Sequence, residues 1–236
     1  MIDSRSPILH LAVVCLLVPA ASAQTGFPFS GEALRYSINW PSGLSLGEAT
    51  MTAQRSEGGR WGFEVSFEAG VPGFSIKDKY RSSVEGDLCS TQLDRETSHG
   101  GKKTREQTTF DQKKGTARRV TTLPENGGQS TLDIPNCARD ALAFVYYVRR
   151  EMGQGRVAPA QKVFFGSAYS VRIEYTGAMN INVGDKPAVT DHVVVSCKGP
   201  KADFSFEVFF ARDAARTPLS IKLPAAVGTL SLELVR

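Results

Sequence analysis

The sequence predicts a mainly β protein: a strongly curved antiparallel sheet or β-barrel holding one buried helix at about residues 138–152, with a two-sheet sandwich as the geometric alternative. Three observations carry that reading. Apolar and polar residues alternate with period two along most of the chain, as in strands with one wet and one buried face. Turn signals recur between those runs, at Gly58-Gly59, Gly100-Gly101, Asn126-Gly127-Gly128 and Gly184-Asp185. A single segment, Ala138 to Met152, breaks the alternation and contains no helix breaker.

Taken in order, the first element is not expected to belong to the fold. Arg5, the apolar run from Ile8 to Ala20 and the small-x-small close Ala21-Ser22-Ala23 have the layout of an export signal cleaved before Gln24. The run is shorter than the roughly 20 apolar residues that span a bilayer. Cys15 is a poor lipid-attachment site, because Val13 and Val14 stand where small residues are wanted. The expected organisation is therefore a signal peptide at 1–23 and one β-rich periplasmic domain at 24–236.

The strands follow. Leu34, Tyr36, Ile38 and Trp40 alternate with polar residues before the turn at Pro41 to Gly43. Trp61, Phe63, Val65, Phe67 and Ala69 repeat the pattern, with Glu64, Ser66 and Glu68 on the opposite face. Later runs are Tyr169-Val171-Ile173-Tyr175, Phe204-Phe206-Val208-Phe210, Leu219-Ile221-Leu223 and Leu230-Leu232-Leu234. About a dozen strands result.

The helix has its own signals. Asn136 is a plausible N-cap, Asp140 suits the first turns, Arg149 and Arg150 suit the last, and Gly153 ends it. Ala141, Leu142, Val145, Tyr146 and Met152 mark one stripe, while Phe144, Tyr147 and Val148 spill onto other faces. A helix apolar most of the way round is covered on several sides, so it belongs in the mouth or concavity of the curved sheet, with Leu142, Val145 and Tyr146 largely buried.

Between Ser90 and Thr122 the alternation persists but apolar residues nearly vanish, leaving Leu93, Phe110 and Val120. Such strands either project as a polar ribbon or line a water-filled groove. The same region carries the charge excess: eight bases against four acids from Asp94 to Arg119 account for the whole net charge of +4. Lys102, Lys103, Arg105, Arg118 and Arg119 are the candidate partner surface, for an envelope protein or an anionic glycan or lipid. The plainer reading is lysines guarding an exposed edge. Nucleic acid is not expected, since Phe110 alone offers a stacking platform there.

Three cysteines follow the leader. Cys89 and Cys137 stand at element boundaries and suit a disulfide, which would close a loop of about 50 residues and contribute roughly 4 kcal/mol. Cys197 shares the face of Val193 and Val195 and reads as a free, buried filler. No metal or cofactor site is expected.

Gly43-Leu44-Ser45-Leu46-Gly47 fits the G-x-S-x-G pattern, but a nucleophile elbow needs a helix after the serine, and strand-like alternation follows here. His99 and His192 lack ligand spacing and read as surface residues.

Several motifs, in this order, resemble a bacterial exported family known as domain of unknown function 3108: Tyr36-Ser37-Ile38-Asn39-Trp40 with Gly47-Glu48-Ala49, Lys79-Tyr80-Arg81-Ser82, Thr109-Phe110-Asp111-Gln112, Asp140-Ala141-Leu142, and the run from Phe209 to Leu223 followed by Gly228. The resemblance covers most of the mature chain. It implies a β-rich periplasmic or envelope-associated domain and supplies no catalytic residues. The function expected from sequence is non-catalytic: a periplasmic binding or scaffold protein in envelope maintenance, peripheral to the membrane at most. The alternative is a carrier of a lipid or other hydrophobic ligand, with Trp40, Phe63, Phe204 and Phe206 lining its cavity. A hydrolase is third. An open apolar cavity beneath the helix would favour the carrier, and a filled core the scaffold.

Overall fold

Period-two alternation folds into one continuous sheet. The computed structural model describes residues 28–56, 58–200, 202–225 and 228–235, so the expected leader at 1–23 lies outside the described residues. The elements are β1 (Glu32–Asn39), β2 (Ser45–Arg55), β3 (Trp61–Val71), β4 (Phe74–Glu85), β5 (Cys89–His99), β6 (Lys102–Asp111), β7 (Thr116–Leu123), β8 (Gln129–Asp133), β9 (Arg139–Asp140), α1 (Ala141–Gly153), β10 (Gln161–Phe164), β11 (Ala168–Val183), β12 (Lys186–Lys198), β13 (Asp203–Ala211), β14 (Pro218–Ala225) and β15 (Gly228–Leu234).

The path is a meander out and a meander back. Strands β1 to β8 step away from β1 in sequence order; the chain then passes through β9 and α1, and β10 to β15 return until β15 pairs with β1. Every neighbouring pair is antiparallel except β9 and β10, which flank the helix and run parallel. The sheet is strongly curved and does not close by a ladder, its edges being β8 and β9. It rolls until the β9 segment meets β5. There Ser90 N–H donates to the Ala138 carbonyl at 2.9 Å, and the Gln112 amide bridges Ser90 and Ala138 at 2.6 and 3.0 Å. The Cys89–Cys137 disulfide lies at the same seam. Beyond it, β6 still packs on the inner strands, with Phe110 5.9 Å from Phe164, ring to ring.

The meander puts the turns after β2, β4, β6, β11 and β13 at one rim and the others at the opposite rim. Both ends of α1 are anchored at the first rim. At its start, Asp140 is the N-cap: its buried carboxylate accepts from Leu142 and Ala143 N–H at 2.9 and 3.0 Å and from the Ser82 and Ser90 hydroxyls at 2.6 and 2.7 Å. At its end, the fully buried Arg149 grips Glu32 with both terminal nitrogens, at 2.7 and 2.5 Å, and donates to the Ala215 carbonyl at 3.0 Å. The helix therefore lies across one end of the roll. Two sequence expectations are corrected: the cap is Asp140 rather than Asn136, and the helix runs from Ala141 through Gly153 rather than 138–152, with Gln154 as its C-cap. Residues Arg139 and Asp140 are held in β9 by the seam, so the helix starts after them.

The helix is covered on several sides, as its sequence implies. Leu142, Ala143 and Tyr146 pack with β1 to β6, and Phe63 stacks on Tyr146 at 3.9 Å. Phe144, Val148 and Met152 pack with β10 to β13. Tyr147 meets the Arg139 guanidinium at 3.9 Å.

Candidate functional site

A helix about 10 Å across that rests on two walls leaves the space between them unfilled. Leu142 and Tyr146 lean on one wall, Phe144 and Val148 on the other, and Val145, between them on the helix surface, meets neither. It is 38% exposed and faces a cavity of about 270 Å³. The expectation that Val145 is largely buried is thus corrected. The helix roofs the cavity with Ala141, Phe144, Val145 and Val148. Its floor is Tyr36, Ala49, Met51, Ile221 and Leu232, and its walls are Val65, Phe67, Tyr80 and Phe165 opposite Ile173, Val193, Val195, Phe206 and Val208. Nearly all these side chains are apolar. The small Ala49 on the floor leaves room that a leucine would occupy.

Burial is graded along the inward faces. On β3, Trp61 and Phe63 are buried, Val65, Phe67 and Ala69 are half-buried, and Val71 is exposed. On β4 the series from Val84, Ser82 and Tyr80 through Asp78 and Ile76 to Phe74 runs the same way, as does Phe210, Val208, Phe206 and Phe204 on β13. The roll is plugged at the helix end and open at the other, where Leu44, Val71, Phe74, Leu123 and Phe204 are exposed apolar residues.

Of the four residues expected to line a cavity, Phe206 does. Phe63 lies deeper, stacked in the core beneath Tyr146. Trp40 sits in the β1–β2 turn, its N–H bonded to the Leu44 carbonyl at 2.8 Å. Phe204 stands at the open rim, 49% exposed, against Tyr169. Alternation placed three of the four on the inward face but could not give their depth along the strand. Tyr80, Phe165 and Val145 were missed; the sequence signal for Tyr80 is its place between Lys79 and Arg81.

The five candidate partner bases do not form one patch. Register puts Lys103, Arg105 and Arg118 on the outer face, whereas Arg119, opposite Thr108, points inward, and Lys102 stands opposite His99 at the open rim. The outer face is a mixed-charge ladder rather than a basic field. Lys79 and Arg81 meet Glu64 at 2.9 and 3.2 Å, and Arg81 and Arg105 meet Glu96 at 3.3 and 3.7 Å. Exposed pairs of this kind add little stability, and their net field is small.

The remaining candidates are local structure. Ser45 opens β2 directly after the turn, so G-x-S-x-G here joins two antiparallel strands. His99 is exposed beside Asp78, at 2.8 Å. His192 is not the surface residue expected: it is buried, stacked on Phe209 at 4.5 Å, with Glu207 at 2.8 Å and Thr176 at 2.5 Å. Thr176 occupies the bulge of β11 and also donates to the His192 carbonyl at 3.2 Å, latching that irregularity. Among the described residues, no cluster of three or more His, Cys, Asp and Glu is arranged as metal ligands, and no helix is long and apolar enough to cross a membrane.

A fold spanning nearly the whole chain also has a β-barrel-like counterpart among solved structures. The sequence pattern of the family described as protein of unknown function (DUF3108) matches residues 35–235. The chain belongs to this family. Comparison with curated proteins finds no match to its sequence. Among solved structures, this DUF3108 protein is similar to a β-barrel-like protein of domain of unknown function DUF1849 from Brucella abortus, with a TM-score of 0.63 and 11% identity over 88% of this chain and 97% of that one. At that identity the likeness concerns the fold alone. The matched part of the DUF3108 chain, residues 35–235, contains every strand that walls the cavity and the helix that roofs it.

Proposed function

We propose that the protein is a non-catalytic periplasmic carrier that holds the hydrocarbon part of a lipid-like ligand beneath α1. The observation that carries this reading is the apolar cavity of about 270 Å³ between the helix and the sheet floor. Small-molecule pockets are typically about 300–1,000 Å³, so a single acyl chain suits it better than a complete diacyl lipid. Dry apolar cavities of smaller volume bind apolar guests. The open rim gives a chain a way in without unfolding the plug. The leader-like N-terminus and the disulfide agree with work in an oxidising compartment outside the cytoplasm.

The scaffold reading favoured by sequence draws on a different observation, the exposed Leu44, Val71, Phe74 and Phe204 at the rim. Those residues suit docking to an envelope protein, and they suit transfer of a chain equally well.

One pair of measurements separates the readings. Protein purified from its native periplasm is extracted and the extract searched by mass spectrometry for a co-purifying lipid. The delipidated protein is then titrated with a fluorescent long-chain fatty acid, alongside Val145→Trp, which fills the cavity from the roof. The carrier reading expects a bound lipid, saturable probe binding, and at least tenfold weaker binding by Val145→Trp with an undiminished melting temperature. Equal probe binding by the two proteins would sink it.

A further inference from the structure

Beyond the buried Leu93, Phe110 and Ala117, the inward face of β5 to β7 turns polar toward the open rim. Arg95, Thr97, Thr104, Glu106 and Arg119 line a cleft of about 350 Å³ closed by the β10–β11 turn, Phe165 to Ser167. This is where the apolar-poor sequence from Ser90 to Thr122 goes, and the acyl-chain cavity leaves it unexplained. Arg95 pairs with Glu106 at 2.8 Å, the two side chains only 21% and 17% exposed. The Arg95 guanidinium lies 4.4 Å over the Phe165 ring, and its Nε is buried without a partner among the described residues. Among the described residues Arg119 makes no ion pair; its terminal nitrogen donates to the Gly166 carbonyl. Two guanidinium groups thus face one carboxylate, and that carboxylate is already engaged by Arg95 and, at 3.4 Å, by the Thr121 hydroxyl.

An inward charge without a counter-charge is costly in a structure that only needs a core. In a binding site it is the useful part, because guanidinium groups recognise carboxylate and phosphate through paired N–H donors. The two compartments also touch. Phe165 lines both cavity and cleft, and Tyr80, which lines the cavity, lies 5.0 Å from Phe165 and 5.8 Å from Arg95. A chain lying against Phe165 would end beside Arg95 and Arg119.

We infer that this cleft receives the anionic head of a single-chain amphiphile, a carboxylate or phosphate held by Arg119 and Arg95, while the chain occupies the cavity under α1. The assignment rests on the acyl-carrier reading above and adds the charge of the ligand to it.

Displacement of a fluorescent fatty acid from the delipidated full chain tests it, with dodecanoate, dodecanol and dodecyl phosphate as competitors and inorganic phosphate alone as a further arm. The wild-type protein should prefer one or both anionic competitors over dodecanol by about tenfold or more, the scale of a charge-assisted hydrogen bond. Arg119→Gln should erase that preference and leave dodecanol binding unchanged. Thr104→Glu, which puts a second carboxylate in the cleft without touching either arginine, should do the same. The better of dodecanoate and dodecyl phosphate identifies the head, and competition by inorganic phosphate would place the recognition in the head alone. Equal affinity for dodecanol and both anions, unchanged in the two variants, overturns the head-group site and leaves the carrier standing. Failure of every competitor and of the probe to bind overturns both.

Discussion

The residue that organises the helix end of the roll is Asp140. Its carboxylate is fully buried and accepts four hydrogen bonds, two from the first turn of α1 and two from serines on β4 and β5. Burial pushes its pKa above the usual carboxylate value, and those four bonds hold it partly back. The sign follows from linkage. With the folded pKa raised, the folded state binds the proton more tightly than the unfolded chain does. The contribution to stability is then greatest below the unfolded value of about 3.9 and declines as pH rises through the folded one. Asp140→Asn keeps a carbonyl acceptor for the two helix N–H groups and removes the titration. Urea unfolding at several points from about pH 4 to pH 7 should show the variant gaining on the wild type as pH rises. A difference that stays constant with pH would mean the four hydrogen bonds fully offset the burial.

At the scale of elements, α1 is a beam resting on two walls, and its residues should report that in stability. Leu142 is 6% exposed and packs into the β1 to β6 cluster; Leu142→Ala should cost about 2–5 kcal/mol. Val145, three positions on, looks into the cavity, so Val145→Ala should cost about 0.5 kcal/mol or less. Matching losses in urea unfolding would mean that the cavity is filled in solution. This pair also marks how far the sequence could be read. The existence of the helix and its all-round apolar character follow from local pattern. Its cap does not, because Asn136 and Asp140 are equally good capping types, and the serines that favour Asp140 lie 58 and 50 residues away in the chain. Val145 was assigned to the core because apolar periodicity assumes that every apolar side chain finds a neighbour, whereas a cavity arises from the spacing of walls that pair far apart in sequence. The same reason explains Phe63 and Phe204: alternation fixes the face, and only the position of the plug fixes the depth. The polar inward face of β5 to β7 was legible as an anomaly, with a water-filled groove as one of its two readings. The division of the five bases between outer face, inner face and rim required the register.

For the whole molecule, what matters is that the roll has a seam instead of a closing ladder. Strand β9 and the two residues before it meet β5 through one backbone bond, the Gln112 bridge, the hydrogen bonds between Ser90 and Asp140, and the Cys89–Cys137 disulfide. Opening the seam would free the N-cap of α1, since Asp140 is the last residue of β9, and would loosen the cavity roof. The disulfide spans 48 residues, and in the chain-entropy model a loop of that size contributes roughly 4 kcal/mol. The double variant Cys89→Ala, Cys137→Ala should therefore unfold at lower urea concentration by about that free energy. Hydrogen exchange should localise the change, with faster exchange in β9 and the first turn of α1 and little change in β12 and β13 on the far wall. Cys197 serves as an internal control. It is buried, and burial pushes its thiol up to about 11, so in the oxidised wild type it should resist labelling until denaturant is added and then react while Cys89 and Cys137 do not. Reaction of Cys89 and Cys137 together with Cys197 in denatured, unreduced protein would rule out the bridge. Unchanged stability of the double variant would mean that Gln112, the Ser90–Asp140 hydrogen bonds and the backbone hold the seam without it.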